Sequence, residues 1–233
     1  MVHSREWRRS MTIREGRFIV ETADGFALDS FVAHAEGESK GGLVILQEIF
    51  GVTDQLKAVA RSYAADGFDA IIPALFDRVS CRTVISFDDP DAGRELAMRL
   101  DIEEVMIDID AARDHIDQGN GVSVLGFCLG GGVALKAATT LAFKSAVSYY
   151  GTDLPAFLDA PPKCPVQFHL GESDSRNTPP KVIDAVQTAI PEAETHIYAA
   201  GHAFANEERP TYVAEAAFSA RARSLVFLNR QHA

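Results

Sequence analysis

The stretch Gly126-Phe127-Cys128-Leu129-Gly130 constrains this chain more than any other feature. It follows the apolar run Val122-Ser123-Val124-Leu125 and precedes Gly131, Gly132 and a stretch of helical character. A strand that turns sharply into a helix passes through strained backbone with no room for neighbouring Cβ atoms, so glycines must flank the apex. The spacing therefore predicts a strand, a tight turn and a helix. Cys128 stands exposed at the apex, and the N–H of Leu129 points into the same space.

The rest of the chain suits such a corner. Strands are expected at residues 17–21 and 27–34 around the turn Asp24-Gly25, and at 43–47, 70–73, 122–125, 145–149, 165–170 and 195–198. Helical spacing covers residues 54–65, 92–117 in one or two pieces, 182–188 and 212–228, with Pro210 placed where the last helix can begin. Residues 76–91 read as a loop. From residue 43 onward strands and helices alternate, which predicts an α/β fold: a mostly parallel central sheet with helices on both faces and no large cap domain. No Pro/Gly/Ser-rich linker divides the 233 residues, so residues 12–233 are expected to form one domain, preceded by a loose tail at residues 1–11. Ligands of such sheets bind at the carboxyl ends of the strands.

Charge and cysteine content exclude several classes. With 33 acidic against 22 basic residues the net charge is −11, which repels nucleic acid and anionic membrane. No apolar run approaches the ~18 residues of a membrane span, and no apolar segment follows the basic start Arg5, Arg8, Arg9, so a secretory signal is not expected. Cys81, Cys128 and Cys164 show no metal-type pairing. They fit a reduced, cytoplasmic protein without metal or cofactor.

Two further residues fall just past predicted strands. Asp174 lies in Gly171-Glu172-Ser173-Asp174, with Asp153 and Glu172 as competing acids. His202 lies in Ala200-Gly201-His202-Ala203. Nucleophile, acid, base is the chain order of the α/β-hydrolase triad, and the corner resembles that fold's G-x-S-x-G elbow with Cys in place of Ser. The chemistry is coherent. A thiol of reference pKa ~8.5 is only a few per cent thiolate at neutral pH; an imidazole within reach takes its proton, and a carboxylate fixes the imidazole tautomer. Backbone N–H groups of Leu129 and of Ile49, in the loop Gln47-Glu48-Ile49-Phe50-Gly51, are the candidate oxyanion donors.

These residues, together with Tyr149-Tyr150-Gly151, make the chain similar to the dienelactone hydrolase family (carboxymethylenebutenolidases) over roughly residues 12–230. The resemblance implies Cys128, Asp174 and His202 as a triad, with Glu48 against the thiol as acceptor of its proton when substrate arrives. It implies a substrate-binding set of Arg78, Phe50 and the position held by Asn206, with Arg78 gripping a substrate carboxylate. The chain departs from the pattern where Asn206 replaces an arginine and Ala203 a hydroxyl residue; Arg82 and Arg209 are nearby cations outside the motif. The expected activity is hydrolysis of a small ester or lactone by a monomer or small homo-oligomer. The alternatives are a hydrolase of a less charged ester, a non-catalytic binding protein on the same fold, and a thiol redox sensor.

Overall fold

A computed structural model describes residues 15–233, and the tail expected at residues 1–11 lies outside the described residues. The strands are β1 (Glu15–Glu21), β2 (Ala27–Ala33), β3 (Gly42–Leu46), β4 (Asp69–Pro73), β5 (Val122–Phe127), β6 (Ala146–Tyr149), β7 (Val166–Gly171) and β8 (Glu194–Tyr198). The helices are α1 (Asp54–Ala65), α2 (Pro90–Ala97), α3 (Ile102–Ile116), α4 (Leu129–Thr140), α5 (Pro180–Ala189) and α6 (Ala214–Gln231). One eight-stranded sheet runs in the order β1-β2-β4-β3-β5-β6-β7-β8. The β1–β2 and β2–β4 pairs are antiparallel and the other pairs are parallel. This is the α/β-hydrolase architecture that the alternation of elements predicts.

Period-two alternation puts helices on both faces. Leu43 and Ile45 of β3 join the layer of α1 and α6, while Val44 and Leu46 join the layer of α3, α4 and α5. Each fully buried Leu or Ile contributes about 1.5–3 kcal/mol. Polar side chains set the helix starts: Thr53 Oγ1 accepts from Leu56 N at 3.1 Å to open α1, and Asp101 Oδ1 accepts from Glu103 N at 2.8 Å to open α3.

The helical run expected at 92–117 in one or two pieces forms two helices, α2 and α3. One expectation shifts. Pro210 does not begin the last helix, because the N–H of Val213 bonds to Phe204 O at 3.0 Å and holds the preceding turn away from helical geometry; α6 starts at Ala214. The strand order reverses between β3 and β5, a topological switch point at which α/β sheets open a crevice. The loops carrying Glu48 and Cys128 leave the sheet there.

Candidate active site

The corner after β5 forms as the glycine pattern requires. Cys128 takes φ 53° and ψ −116°, a left-handed conformation that costs about 1–3 kcal/mol in a non-glycine residue. Its N–H donates to Tyr149 O at 3.0 Å, and its carbonyl accepts from Gly131 N at 3.0 Å and Thr152 N at 3.1 Å. A Cβ at position 126 would sit 1.9 Å from Gly130 O, and one at position 130 would sit 2.5 Å from Leu46 O. Neither neighbour can be anything but glycine. The side chain is not exposed as the sequence suggests: Cys128 is 7% accessible. Ala203, Phe204 and Tyr150 pack into the same layer and cover the apex. A cleft of about 310 Å³ lies between residues of α1 and α6 and reaches Phe127 and Tyr149 at its floor, but neither Cys128 nor His202 lines it.

The loops after β7 and β8 converge on this point. His202 Nδ1 lies 2.6 Å from Asp174 Oδ2. Burial alone would lower the His202 pKa, but the Asp174 bond, and then the bonding and charge of Cys128, overcome it and raise the pKa to about 10. The sulfur acts on the ring without meeting regular hydrogen-bond geometry; the contacts of regular length go to Asp174 and Asn177. Burial would raise the Asp174 pKa, and the His202 bond and charge, with the Asn177 donors, bring it below the usual range. Asn177 is a residue the sequence did not single out. Its Nδ2 donates to Asp174 Oδ1 at 3.0 Å and its N–H to the same oxygen at 3.1 Å. The 3.1 Å approach of Nδ2 to His202 Nδ1 is a contact, since that nitrogen's proton faces Asp174. Of the competing acids, Glu172 is exposed and Asp153 precedes the 3-10 turn Leu154–Phe157.

Glu48 is buried beside this group. One oxygen, Oε2, accepts from Asn206 Nδ2 at 2.8 Å; Oε1 has no partner. Burial raises its pKa, and the Asn206 bond, the His202 charge, Tyr150 and Arg209 offset only part of that rise. Tyr150 is the second residue that sequence reasoning passed over. Its ring meets the His202 ring edge-on at 5.2 Å, its φ is +38°, and its buried hydroxyl, close enough to influence Glu48, completes no regular hydrogen bond. The Tyr-Tyr-Gly run was the available signal, but no spacing rule assigns its second tyrosine a contact.

Gln47 joins the loop to its surroundings. Its Oε1 accepts from Leu75 N at 3.1 Å, and its carbonyl accepts from Gly130 N at 2.9 Å. The N–H groups of Ile49 and Leu129, the expected oxyanion donors, have no acceptor among the described residues. Two residues expected at the substrate have partners within the protein. Arg78 points every guanidinium nitrogen at a carboxylate: Nε and Nη2 donate to Asp108 Oδ1 at 3.0 and 2.8 Å, and Nη1 donates to Asp24 Oδ2 at 2.7 Å. Its plane also covers the Phe26 ring at 4.6 Å. The Asp24 and Asp108 bonds raise its pKa. Asn206 is buried and turned to Glu48, its Oδ1 accepting from Glu208 N at 3.1 Å. Phe50 is buried, with one ring contact to Phe87 at 4.8 Å. Arg82 approaches Asp29 at 3.9 Å, on the β2 side of the sheet, and Cys81 is exposed. Burial pushes the Cys164 thiol up to about 11. Among the described residues no group of three or more His, Cys, Asp or Glu could hold a metal ion, and no helix is long and apolar enough to cross a membrane.

Comparison with known proteins adds an independent line. The profile described as "Dienelactone hydrolase family" matches residues 28–232. A carboxymethylenebutenolidase of Pseudomonas putida is 33% identical over 226 residues, covering 88% of this chain and 95% of that protein. Another, from Pseudomonas sp. strain P51, is 31% identical over 228 residues, with 89% and 95% covered. A Klebsiella pneumoniae subsp. pneumoniae MGH 78578 protein, provisionally described as a dienelactone hydrolase, superposes with a TM-score of 0.80 at 26% identity, covering 92% of this chain and 98% of that one. The glycine-flanked corner, the sheet order and these likenesses converge: the chain belongs to the dienelactone hydrolase family and is an ester hydrolase of the carboxymethylenebutenolidase type.

Proposed function

We propose that this hydrolase cleaves a small ester or lactone through Cys128, His202 and Asp174. The observation that carries the reading is the Asp174-bound imidazole beside a cysteine held in strained backbone at a strand end. The thiolate of Cys128 attacks the ester carbonyl. The carbonyl π electrons move to oxygen, and the N–H groups of Leu129 and Ile49 bind the oxyanion. The tetrahedral adduct collapses to a thioester as the C–O bond breaks, and His202 gives its proton to the departing alkoxide. Neutral His202 then takes a proton from water. The resulting hydroxide displaces the thiolate, and the carboxylic acid leaves. Asp174 holds the imidazole tautomer and stabilises the imidazolium, and Asn177 fixes Asp174. Glu48, whose pKa burial raises, is the nearby carboxyl able to take up or return the thiol proton before attack.

Turnover of 4-nitrophenyl esters and of dienelactone by the wild type, Cys128→Ala and His202→Ala tests this. Each variant is expected to lose at least ~10³-fold in kcat/KM. Variants that match the wild type would eliminate the triad. Reversible inactivation by peroxide in a wild type with no turnover would instead favour a redox sensor.

A further inference from the structure

The basic side chains of this acidic protein are unevenly placed. A cavity of about 380 Å³ lies where β1 and β2 meet α1 and the loop after β4, and Arg17, Lys57, Arg61 and Arg82 line it. Among the described residues Asp29 and Asp54 are the acids on its wall, so the cavity is cationic in a chain of net charge −11. Cys128, Asp174, His202 and Glu48 do not line it. Its nearest tie to them is Val84, on the wall, which precedes Ile85, whose N–H donates to Phe50 O at 2.9 Å.

Two of these arginines converge on one carboxylate. Arg17 Nε lies 2.6 Å and Arg82 Nε 3.9 Å from the same Asp29 Oδ2. The first contact is a hydrogen bond and the second is too long to be one. One negative charge thus faces two guanidinium groups, and like charges held this close repel until a further anion joins them. Their donors are available. The Nη atoms of Arg17 and the guanidinium of Arg82 have no hydrogen-bond acceptor among the described residues, and the two side chains are 55% and 63% exposed. Arg82 is also presented under strain: its φ is +53°, and its N–H is held by the buried Asp77 Oδ1 at 2.6 Å. Left-handed backbone in a non-glycine residue costs about 1–3 kcal/mol and clusters at ligand clamps.

The same cavity has apolar walls. Phe31, Val52 and Val84 line it, and Val84 is 57% exposed. The Arg61 guanidinium lies 5.3 Å from the Phe31 ring centroid and extends that flat surface. Cations beside an apolar wall select an anion that carries an apolar body.

We propose that this cavity is a binding site for a small aromatic monocarboxylate, separate from the catalytic centre. The carboxylate bridges Arg17 and Arg82, and the ring covers Val52 and Val84. The site is independent of the triad reading above.

Benzoate is the probe, followed by calorimetry and NMR on the wild type. It is expected to bind with a Kd of about 1 mM or tighter and to give intermolecular NOEs from its ring protons to the Val52 and Val84 methyls. Arg82→Gln, a change on an exposed side chain, should weaken binding about tenfold or more, the scale of one hydrogen bond to a charged group. Arg17→Gln should deepen the loss. Benzamide, which keeps the shape without the charge, and acetate, which keeps the charge without the ring, should each bind about tenfold more weakly than benzoate. No binding at about 10 mM benzoate, equal affinity in Arg82→Gln, or equal binding of benzamide would overturn the proposal. So would NOEs confined to the Tyr150 and His202 rings, which would place the ligand in the catalytic pocket; this pattern is read on the wild type and needs no variant to fold.

Discussion

Two buried acids of this molecule face opposite circumstances. Asp108, on α3, accepts two hydrogen bonds from Arg78, through Nε and Nη2, and Arg78 reaches on to Asp24 in the β1–β2 turn. The three side chains tie the antiparallel edge of the sheet to α3, and each guanidinium nitrogen has an acceptor. Glu48 has one donor, the amide of Asn206, and one bare oxygen. Arg209 is close enough to be felt and bonds elsewhere. The same two chemical groups, carboxylate and guanidinium, thus serve as a rivet in one place and are kept apart in the other. Burial raises the pKa of both carboxyls; at Asp108 the Arg78 bonds and charge oppose that rise, whereas at Glu48 the largest opposing contribution is the neutral Asn206 amide.

The contrast is sharpest in stability. Asp108→Ala leaves the largely buried Arg78 charge with Asp24 alone and is expected to cost about 3 kcal/mol in urea unfolding, with turnover per folded molecule within about twofold of wild type. Cys128→Ala should change stability by less than about 1 kcal/mol. A loss below about 1 kcal/mol for Asp108→Ala would end the rivet idea. A smaller effect separates the two acids by pH. Because the folded-state pKa of Glu48 lies above its unfolded value of ~4.5, the folded state binds more protons, and stability falls as pH rises through that interval. Glu48→Gln should remove this slope and be more stable than wild type at pH 8, while matching it near pH 4. Parallel stability curves for the two proteins would contradict a raised pKa. The smallest effect is spectroscopic. His202, raised to about 10, should stay protonated in imidazole ¹⁵N spectra well above its ordinary 6.5. Its stabilising contribution is full below pH ~6.5 and fades as pH climbs through about 10. Cys128→Ala should lower that pKa, and an unaltered titration would show that the sulfur does not act on the ring.

Much of this arrangement was legible in the chain because local rules produce it. Glycines at 126 and 130 announce the corner, and alternating elements place Cys128, Asp174 and His202 each just past a strand. What escaped reading depends on contacts between distant segments. Arg78 carries the motif's arginine, but Asp24 and Asp108 lie 54 and 30 residues away, and no local pattern reports that they close on it. Asn177 was hidden because an asparagine three residues past an aspartate is an ordinary loop feature. Tyr150 was quoted for likeness only, since its buried hydroxyl acquires meaning from Glu48 across the sheet. Pro210 misplaced the start of α6 because the bond from Val213 to Phe204 is tertiary.

The glycine-flanked corner also bears on how such strings should be interpreted elsewhere. Its shape is imposed from both sides: Tyr149, on the next strand, anchors the cysteine amide, and Gln47, past the preceding one, anchors Gly130. Five residues copied into another scaffold would bring the letters and leave the clamp behind, and the left-handed twist at the apex would relax. A G-x-C-x-G found in an unfamiliar genome therefore becomes informative only in company, when a glutamine-bearing loop upstream and a tyrosine-ended strand downstream are present to hold it bent.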